Sequence, residues 1–360
     1  MVVNSQKKID IIHKCMFNKF IIIKENLINN IKQVATQNLK SKICAMVKAN
    51  AYGVGINQVV KIIDKYVDFY GVACFFEAQN LKNFTKKKIL IVGALEKNNI
   101  KKRFSYTCSC LEDVRFLKYL NRKINIHLKV NSGMNRFGFN SIEDFTLALK
   151  EIKFSKLNLE GVYTHFATDD SFVDVQMECF NKYVNVLKEN KFFPIIHADN
   201  SVVNLKCNHH LNMVRVGFNL YGLNEYNFNT AIKICSKIVQ INNVKKGELV
   251  GYNYKCVASK DLSVAVVPVG YADGFSIKLI GFDLYLQNKK CKVLNVCMDC
   301  FMLDVTNLNI KKGTEVPILD EVNSLTRYAN FLGVSEYEVL TNFSYIRADK
   351  LIFASNRKDK

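Results

Sequence analysis

Short apolar, β-rich runs recur along the first part of the chain, separated by spacers of helix length. They are Ile43–Val47, Phe69–Phe75, Ile89–Val92, Tyr106–Cys110, Ile124–Val130, Leu159–Phe166, Ile195–Ala198 and Met213–Val216. Near-continuous apolar runs suit strands buried on both faces, as in a parallel sheet. The spacers carry apolar residues on one helical face, for example Val59, Val60, Ile62 and Ile63 within 56–66, or Phe180, Tyr183, Val184 and Leu187 within 179–189. Eight β/α units between residues 43 and 216 fit a closed TIM barrel better than an open sheet.

The texture changes near residue 225. Ile232–Ile241, Leu262–Val269, Leu284–Leu286, Cys291–Val296, Phe301–Val305 and Val316–Ile318 read as strands joined by turns, with helical patterns only at Leu325–Phe331 and Tyr337–Leu340. We therefore expect an α/β barrel over 19–228 and a mainly β domain over 229–360. Residues 1–18 form a basic extension with no legible pattern.

The 49% apolar content describes a folded protein, and 360 residues can hold two domains of ordinary size. The start offers no continuous apolar core for a signal peptide, and no run approaches the roughly 18 residues of a membrane helix. The expectation is a cytoplasmic protein without membrane contact. The net charge of +19 invites a nucleic-acid partner, but only eight of the 51 basic residues are arginine, and the lysines are spread along the whole chain. Base-reading sites favour the arginine fork, so no specific nucleic-acid binding is expected. Twelve cysteines without an export signal should stay reduced. Cys297-x-x-Cys300 has no histidine at finger-like spacing after it, so buried thiols are favoured over a metal site.

Several chemistry-bearing residues fall at or just after the proposed strand ends, which converge on one face in a barrel. Lys48 and Tyr52 follow the first strand. The segment Asn131–Gly138, with Arg136, follows the fifth. His165 ends the sixth, Asn200 and Ser201 follow the seventh, and Arg215 and Gly217 lie at the eighth. Each alone has a plainer explanation: His165 as a satisfied core histidine, Arg215 as a rim ion pair, Asn200-Ser201 as a helix cap. An amine placed like Lys48 can form a Schiff base with an aldehyde cofactor and later carry a proton.

Seven segments, VKANAYG, VNSGMNRFGF, THFATDD, HADNS, VRVGFNLYGL, VGYADGF and VCMDCFMLDVT, resemble those of the alanine racemases in the same order, from about Phe20 to Leu351. The resemblance implies a fold-type-III enzyme that uses pyridoxal 5′-phosphate (PLP). It implies that Lys48 holds the cofactor, that Tyr52, Ser201, Gly217 and Tyr345 surround its phosphate with Asn200 beside them, and that Arg215 faces the pyridine nitrogen. His165 would link that arginine to a second base, Tyr271. Arg136 would lie near the cofactor hydroxyl and substrate carboxylate. Lys129 matches a lysine that is carbamylated in some members.

Racemisation removes a proton on one face of the α-carbon and delivers one on the other, which two positioned groups do more simply than one. In the family the tyrosine, with Met298 and Asp299 for the substrate carboxylate, comes from the β domain of the other subunit. A head-to-tail homodimer with shared sites is thus implied, making D-alanine as a precursor of the bacterial cell wall (peptidoglycan). This chain departs from the family at Val54, at Phe275–Lys278, at Leu294-Asn295 and at Ile346. These positions bear on substrate entry, the interface and the choice of amino acid. Rival readings are a racemase of serine or another small amino acid, a non-catalytic PLP-binding protein, and a decarboxylase.

Overall fold

The computed structural model describes residues 17–206, 209, 211–222, 227–252 and 256–353, excluding the side chains of residues 202, 204, 205 and 345. All but two residues of the 1–18 extension lie outside this range. The chain forms two compact units, one of residues 26–229 and one joining 1–25 to 230–360.

The strands, in chain order, begin with β1 (Lys19–Ile23). There follow β2 (Lys42–Met46), β3 (Phe69–Val72), β4 (Lys88–Ile91), β5 (Ser105–Cys108), β6 (Asn125–Lys129), β7 (Asn158–Tyr163), β8 (Ile195–His197) and β9 (Met213–Val216). These eight, β2 to β9, form one parallel sheet in the order β8-β7-β6-β5-β4-β3-β2-β9. The two outer strands meet as well. Ile196 N–H donates to Asn212 Oδ1 at 2.9 Å, and Arg215 N–H to the Asp199 carbonyl at 3.1 Å. The sheet thereby curls into the eight-stranded barrel that the apolar runs predict. Helices cover it with their buried stripes, including Val59, Val60, Ile62 and Ile63 of Ile56–Ile63, and Phe180, Tyr183 and Leu187 of Phe172–Glu189.

The second unit holds β10 (Ile232–Lys237), β11 (Gln240–Val244), β12 (Leu262–Val267), β13 (Asp283–Leu286), β14 (Lys289–Val296), β15 (Phe301–Asp304), β16 (Glu315–Leu319) and β17 (Asp349–Phe353). A four-stranded sheet runs β16-β10-β1-β17 and a five-stranded one runs β11-β12-β15-β14-β13. Its core includes Phe275 stacked on Phe301 at 4.4 Å, with Phe282 stacked on Tyr328.

Two expectations change here. Residues 19–23 do not open the barrel: β1 pairs antiparallel with β10 and parallel with β17. Phe20 and Ile22 alternate into the core of that sheet, and Asn18 anchors its start by donating to the Pro268 carbonyl at 2.9 Å. The single strand expected over 232–241 is two. Ile238 N–H still reaches the Thr314 carbonyl, just before β16 of one sheet, whereas Val239 N–H already reaches the Val266 carbonyl on β12 of the other. The chain changes sheets between adjacent residues, which a strand-like pattern continuing through 232–241 does not reveal.

Candidate active site

Lys48 stands just past the carboxyl end of β2 and opens an unusual turn. Ala49, Asn50, Ala51 and Tyr52 all have positive φ, between 51° and 57°, so the segment is a turn of left-handed helix. For L-residues this conformation costs on the order of 1–2 kcal/mol each. The surroundings hold it in place. Ala49 N–H donates to Glu77 Oε1 at 2.6 Å, Gly53 N–H to the Ala49 carbonyl at 2.8 Å, and the Tyr221 hydroxyl to the Ala51 carbonyl at 3.0 Å. A β-branched side chain tolerates this region least, so Ala49→Val should lower stability by about 1–2 kcal/mol. Calorimetry should show the melting midpoint falling while Ala49→Gly holds or raises it. Equal midpoints would mean that the turn carries no strain.

Lys48 retains exposed surface, yet the pKa of its amine is lowered. Desolvation is the largest cause and the charge of Arg136 the next, with Glu77 opposing and Arg215 adding to the effect. Lys129, at the end of β6, is pulled down to about 8 by burial and by Arg136, Arg215 and Lys48. His165 lies two residues past the end of β7, not within the strand. Burial, Arg215, Arg136, Lys129 and Lys48 depress its pKa to about 2, so it is neutral. Its Nδ1 receives Arg215 Nη2 at 3.2 Å, which leaves its proton on Nε2. Arg215 is buried, with Nη2 also donating to the carbonyls of Thr164 at 2.9 Å and Ala198 at 2.8 Å. Arg136 is exposed on the loop after β6, where Asn131 Oδ1 accepts the N–H groups of Gly133 and Asn135.

Tyr52, Ser201 and Gly217 meet at the end of β9. A Cβ at Gly217 would come within 2.3 Å of the Tyr52 hydroxyl oxygen, so only glycine allows the tyrosine to sit there. Gly217 N–H donates to Ser201 Oγ at 3.0 Å, leaving the serine proton available to a further acceptor. Asn200 caps the helix Ser201–Lys206 by accepting Val203 N–H at 3.1 Å, so the cap reading holds for this residue. Two hydroxyls, an amine with a lowered pKa and several cations thus gather at one barrel end. Arg136 and Arg215 act on Lys48, Lys129 and His165 alike, and the carboxylate of Glu77 opposes them at Lys48. That donor set fits an anionic, phosphate-bearing aldehyde.

The remaining candidates belong to the other unit. Tyr271 opens the short turn Tyr271–Asp273 after β12. Its N–H donates to the Cys297 carbonyl and that of Ala272 to the Met298 carbonyl, both at 3.0 Å, which ties the turn to the hairpin bearing Met298 and Asp299. Tyr271 is 43% exposed and Met298 59% exposed. Together with Asp299, Tyr252, Ile277 and Asn295, they line a cleft of about 440 Å³. Tyr345 lies in the short helical turn Phe343–Tyr345, and its side chain is outside the described residues.

The sequence reading missed what fixes this turn. Asp273 is fully buried, accepting Arg347 Nε at 2.7 Å, Arg347 Nη2 at 2.8 Å and Gly270 N–H at 2.9 Å. Gly274 follows at φ 92°, where a Cβ would strike the Asn342 carbonyl. Burial would raise the Asp273 pKa, but hydrogen bonds from Arg347 and Gly270 outweigh it and hold the carboxyl below its ordinary value. A depressed folded-state pKa contributes stability above the unfolded value of about 3.9 and loses it as pH falls through the folded value. Asp273→Asn would set an amide donor against a guanidinium or backbone donor and cost about 2 kcal/mol. Urea midpoints at pH 7 should therefore drop in the variant, and the wild-type advantage should shrink in acid. A midpoint that does not move would sink this account.

Family models for the alanine racemase N-terminal domain and C-terminal domain match residues 22–225 and 231–350. The chain is 32% identical over 354 residues to an alanine racemase of Borreliella burgdorferi, covering 90% of this chain and 95% of that protein. Among solved structures it is similar to an alanine racemase of Clostridium difficile, with TM-score 0.87 and 30% identity over 95% of this chain and 97% of that one. It is also similar to a Bacillus anthracis alanine racemase with bound L-Ala-P, with TM-score 0.85 and 28% identity over 91% and 92% of the two chains.

Proposed function

The chain belongs to the alanine racemase family, and from that premise we propose that it interconverts L- and D-alanine using PLP, with Lys48 and Tyr271 as the two bases. The observation that carries this reading is the placement of Lys48: an amine with a lowered pKa, at the mouth of a parallel barrel, directly before a strained turn. A neutral amine is the form that attacks a carbonyl and takes up a proton. When bound, PLP would supply a ring that draws electron density from the substrate α-carbon.

The protein's own groups would do the rest. Lys48 would hold the cofactor and move a proton on one face of the substrate. Tyr52, Ser201 and Gly217, with Asn200 and Tyr345, would take the phosphate. Arg215 would face the ring nitrogen. A guanidinium does not give up its proton as a carboxylic acid does, so the nitrogen would keep its lone pair, restraining side reactions. His165, neutral and bonded to that arginine, would present its Nε2–H toward the second base. Arg136, Met298 and Asp299 would receive the substrate carboxylate. Lys129, with its pKa near 8, is chemically suited to the carbamate the resemblance implies.

Tyr271, Met298 and Asp299 are exposed on the β unit, and we assign them to the barrel site of a second copy. The working state would then be a head-to-tail homodimer. Among the described residues no helix is long and apolar enough to cross a membrane. We place the enzyme in the cytoplasm, supplying D-alanine for peptidoglycan.

The purified chain, loaded with PLP, should erase the optical rotation of L-alanine faster than that of L-serine or larger amino acids. Preference for serine would move the assignment to a neighbouring substrate, and carbon dioxide release would indicate a decarboxylase. Inertness toward the whole panel would leave a PLP carrier.

A further inference from the structure

Behind Arg215 runs a buried polar chain to which none of the roles above gives a task. Arg215 Nη1 lies 2.7 Å from His197 Nδ1, His197 Nε2 lies 2.9 Å from His127 Nδ1, and His127 Nε2 lies 3.3 Å from Glu160 Oε2. Glu160 also accepts from Lys88 Nζ and Ser105 Oγ. Both histidines are completely buried, and Arg215 and Glu160 are 4% and 7% exposed. Their strand register places them inside the barrel: His127 on β6 pairs with Gly161, and Tyr163 pairs with His197 on β8. A Cβ at Gly161 would reach within 2.2 Å of the His127 ring, and Tyr163 stacks flat on His197 at 4.7 Å and 8°.

The chemistry of the ends fixes every proton between them. A guanidinium has donors and no acceptor, so the His197 Nδ1 that faces it carries no proton. The His197 proton is therefore on Nε2, which makes His127 Nδ1 an acceptor and puts the His127 proton on Nε2. That proton points at a carboxylate, which accepts only. Each donation runs the same way, from Arg215 through His197 and His127 to Glu160. A second proton on either ring would set donor against donor. Burial acts in the same direction, lowering the pKa of both histidines. Glu160 is held ionised, at about 2: burial opposes this, and the bonds from His127, Lys88 and Ser105 outweigh it.

We propose that Glu160, His127 and His197 form a one-way hydrogen-bond relay that positions Arg215 from the opposite end of the barrel. Glu160 is the third residue of β7 and Lys88 the first of β4, whereas Arg215 lies near the carboxyl end of β9. Donors and acceptors polarise one another along such a chain, so the carboxylate helps keep the distant guanidinium charged and fixed in rotation. These three are positioning residues. They do not touch the candidate substrate groups, and with both rings neutral the relay is not a proton wire. Its kinetic consequence rests on the racemase reading, but its tautomers do not.

The test is nitrogen-15 NMR of the full chain labelled at histidine, with and without PLP. His127 and His197 should each show a protonated Nε2 and a bare Nδ1 from pH 6 to 8.5. An Nδ1–H tautomer or an imidazolium at either residue overturns the relay, whatever the activity. Glu160→Leu removes the terminal acceptor. It should mix the His127 tautomers and lower kcat by roughly 10–100-fold, as loss of outer partners does elsewhere, with KM changed little. Glu160→Gln keeps an acceptor oxygen and should recover most of both losses. Equal kcat in the two variants would refute the positioning role. A wild-type chain with the expected tautomers but no racemisation would instead sink the racemase reading and leave the relay standing.

Discussion

Lys48→Ala is expected to abolish both cofactor retention and turnover, the largest effect of any single substitution in the barrel. In the proposed reaction this amine is the covalent anchor and one of the two proton carriers, so its loss removes two functions together. General-base catalysis alone is typically worth about 10²–10⁴-fold, and the lost attachment adds to that. Lys48→Arg should fare no better, because a guanidinium keeps the charge but neither attacks an aldehyde nor readily releases a proton. The check is borohydride reduction followed by peptide mass analysis. Wild type should carry the cofactor's mass at Lys48 and the variant should carry none. Labelling at Lys129 in the wild-type chain, or near-normal racemisation by the alanine variant, would refute the assignment. Lys129 is the natural rival, because its amine is also depressed and shares Arg136 and Arg215 as neighbours.

The parts of this arrangement differ in how openly the sequence states them. The barrel strands are legible because a strand covered on both faces must be apolar along its length, as in Lys42–Met46, where four of five residues are buried. The VGYADGF and HADNS segments are legible through their resemblance to those of the alanine racemases. The left-handed turn after Lys48 is not, because alanine carries no signal for positive φ. What stabilises it, including Glu77 and Tyr221, lies 28 and 170 residues away. β1 escapes notice for the same reason: a short apolar run acquires meaning only from partners at 232–235 and 349–353. The relay left a trace that pattern reading could have used. His127, Glu160 and His197 are polar residues at buried strand positions, and a polar group in a buried strand needs a partner. The identity of that partner is three-dimensional information.

Tyr271→Phe separates the two bases, and its expected signature is an exchange reaction that has lost its inversion. The substitution removes one oxygen from a residue that is 43% exposed. The turn itself is held by main-chain bonds to the 297–300 hairpin and by Asp273 with Arg347, none of which needs the hydroxyl. Folding stability and PLP binding should therefore stay near wild type. The racemisation rate should fall by roughly 10²–10⁴-fold, the usual worth of a positioned acid–base group. Both directions must fall together, since the equilibrium between mirror-image substrates is fixed by symmetry and no catalyst can shift it. The asymmetry appears in heavy water. The enantiomer whose α-hydrogen faces Lys48 should still exchange it for deuterium while keeping its configuration, and the other enantiomer should exchange far more slowly. Proton NMR of each enantiomer with the variant reads this directly. Equal slow exchange of both would point to a defect in binding rather than a missing base, and undiminished racemisation would leave Lys48 as the base on both faces.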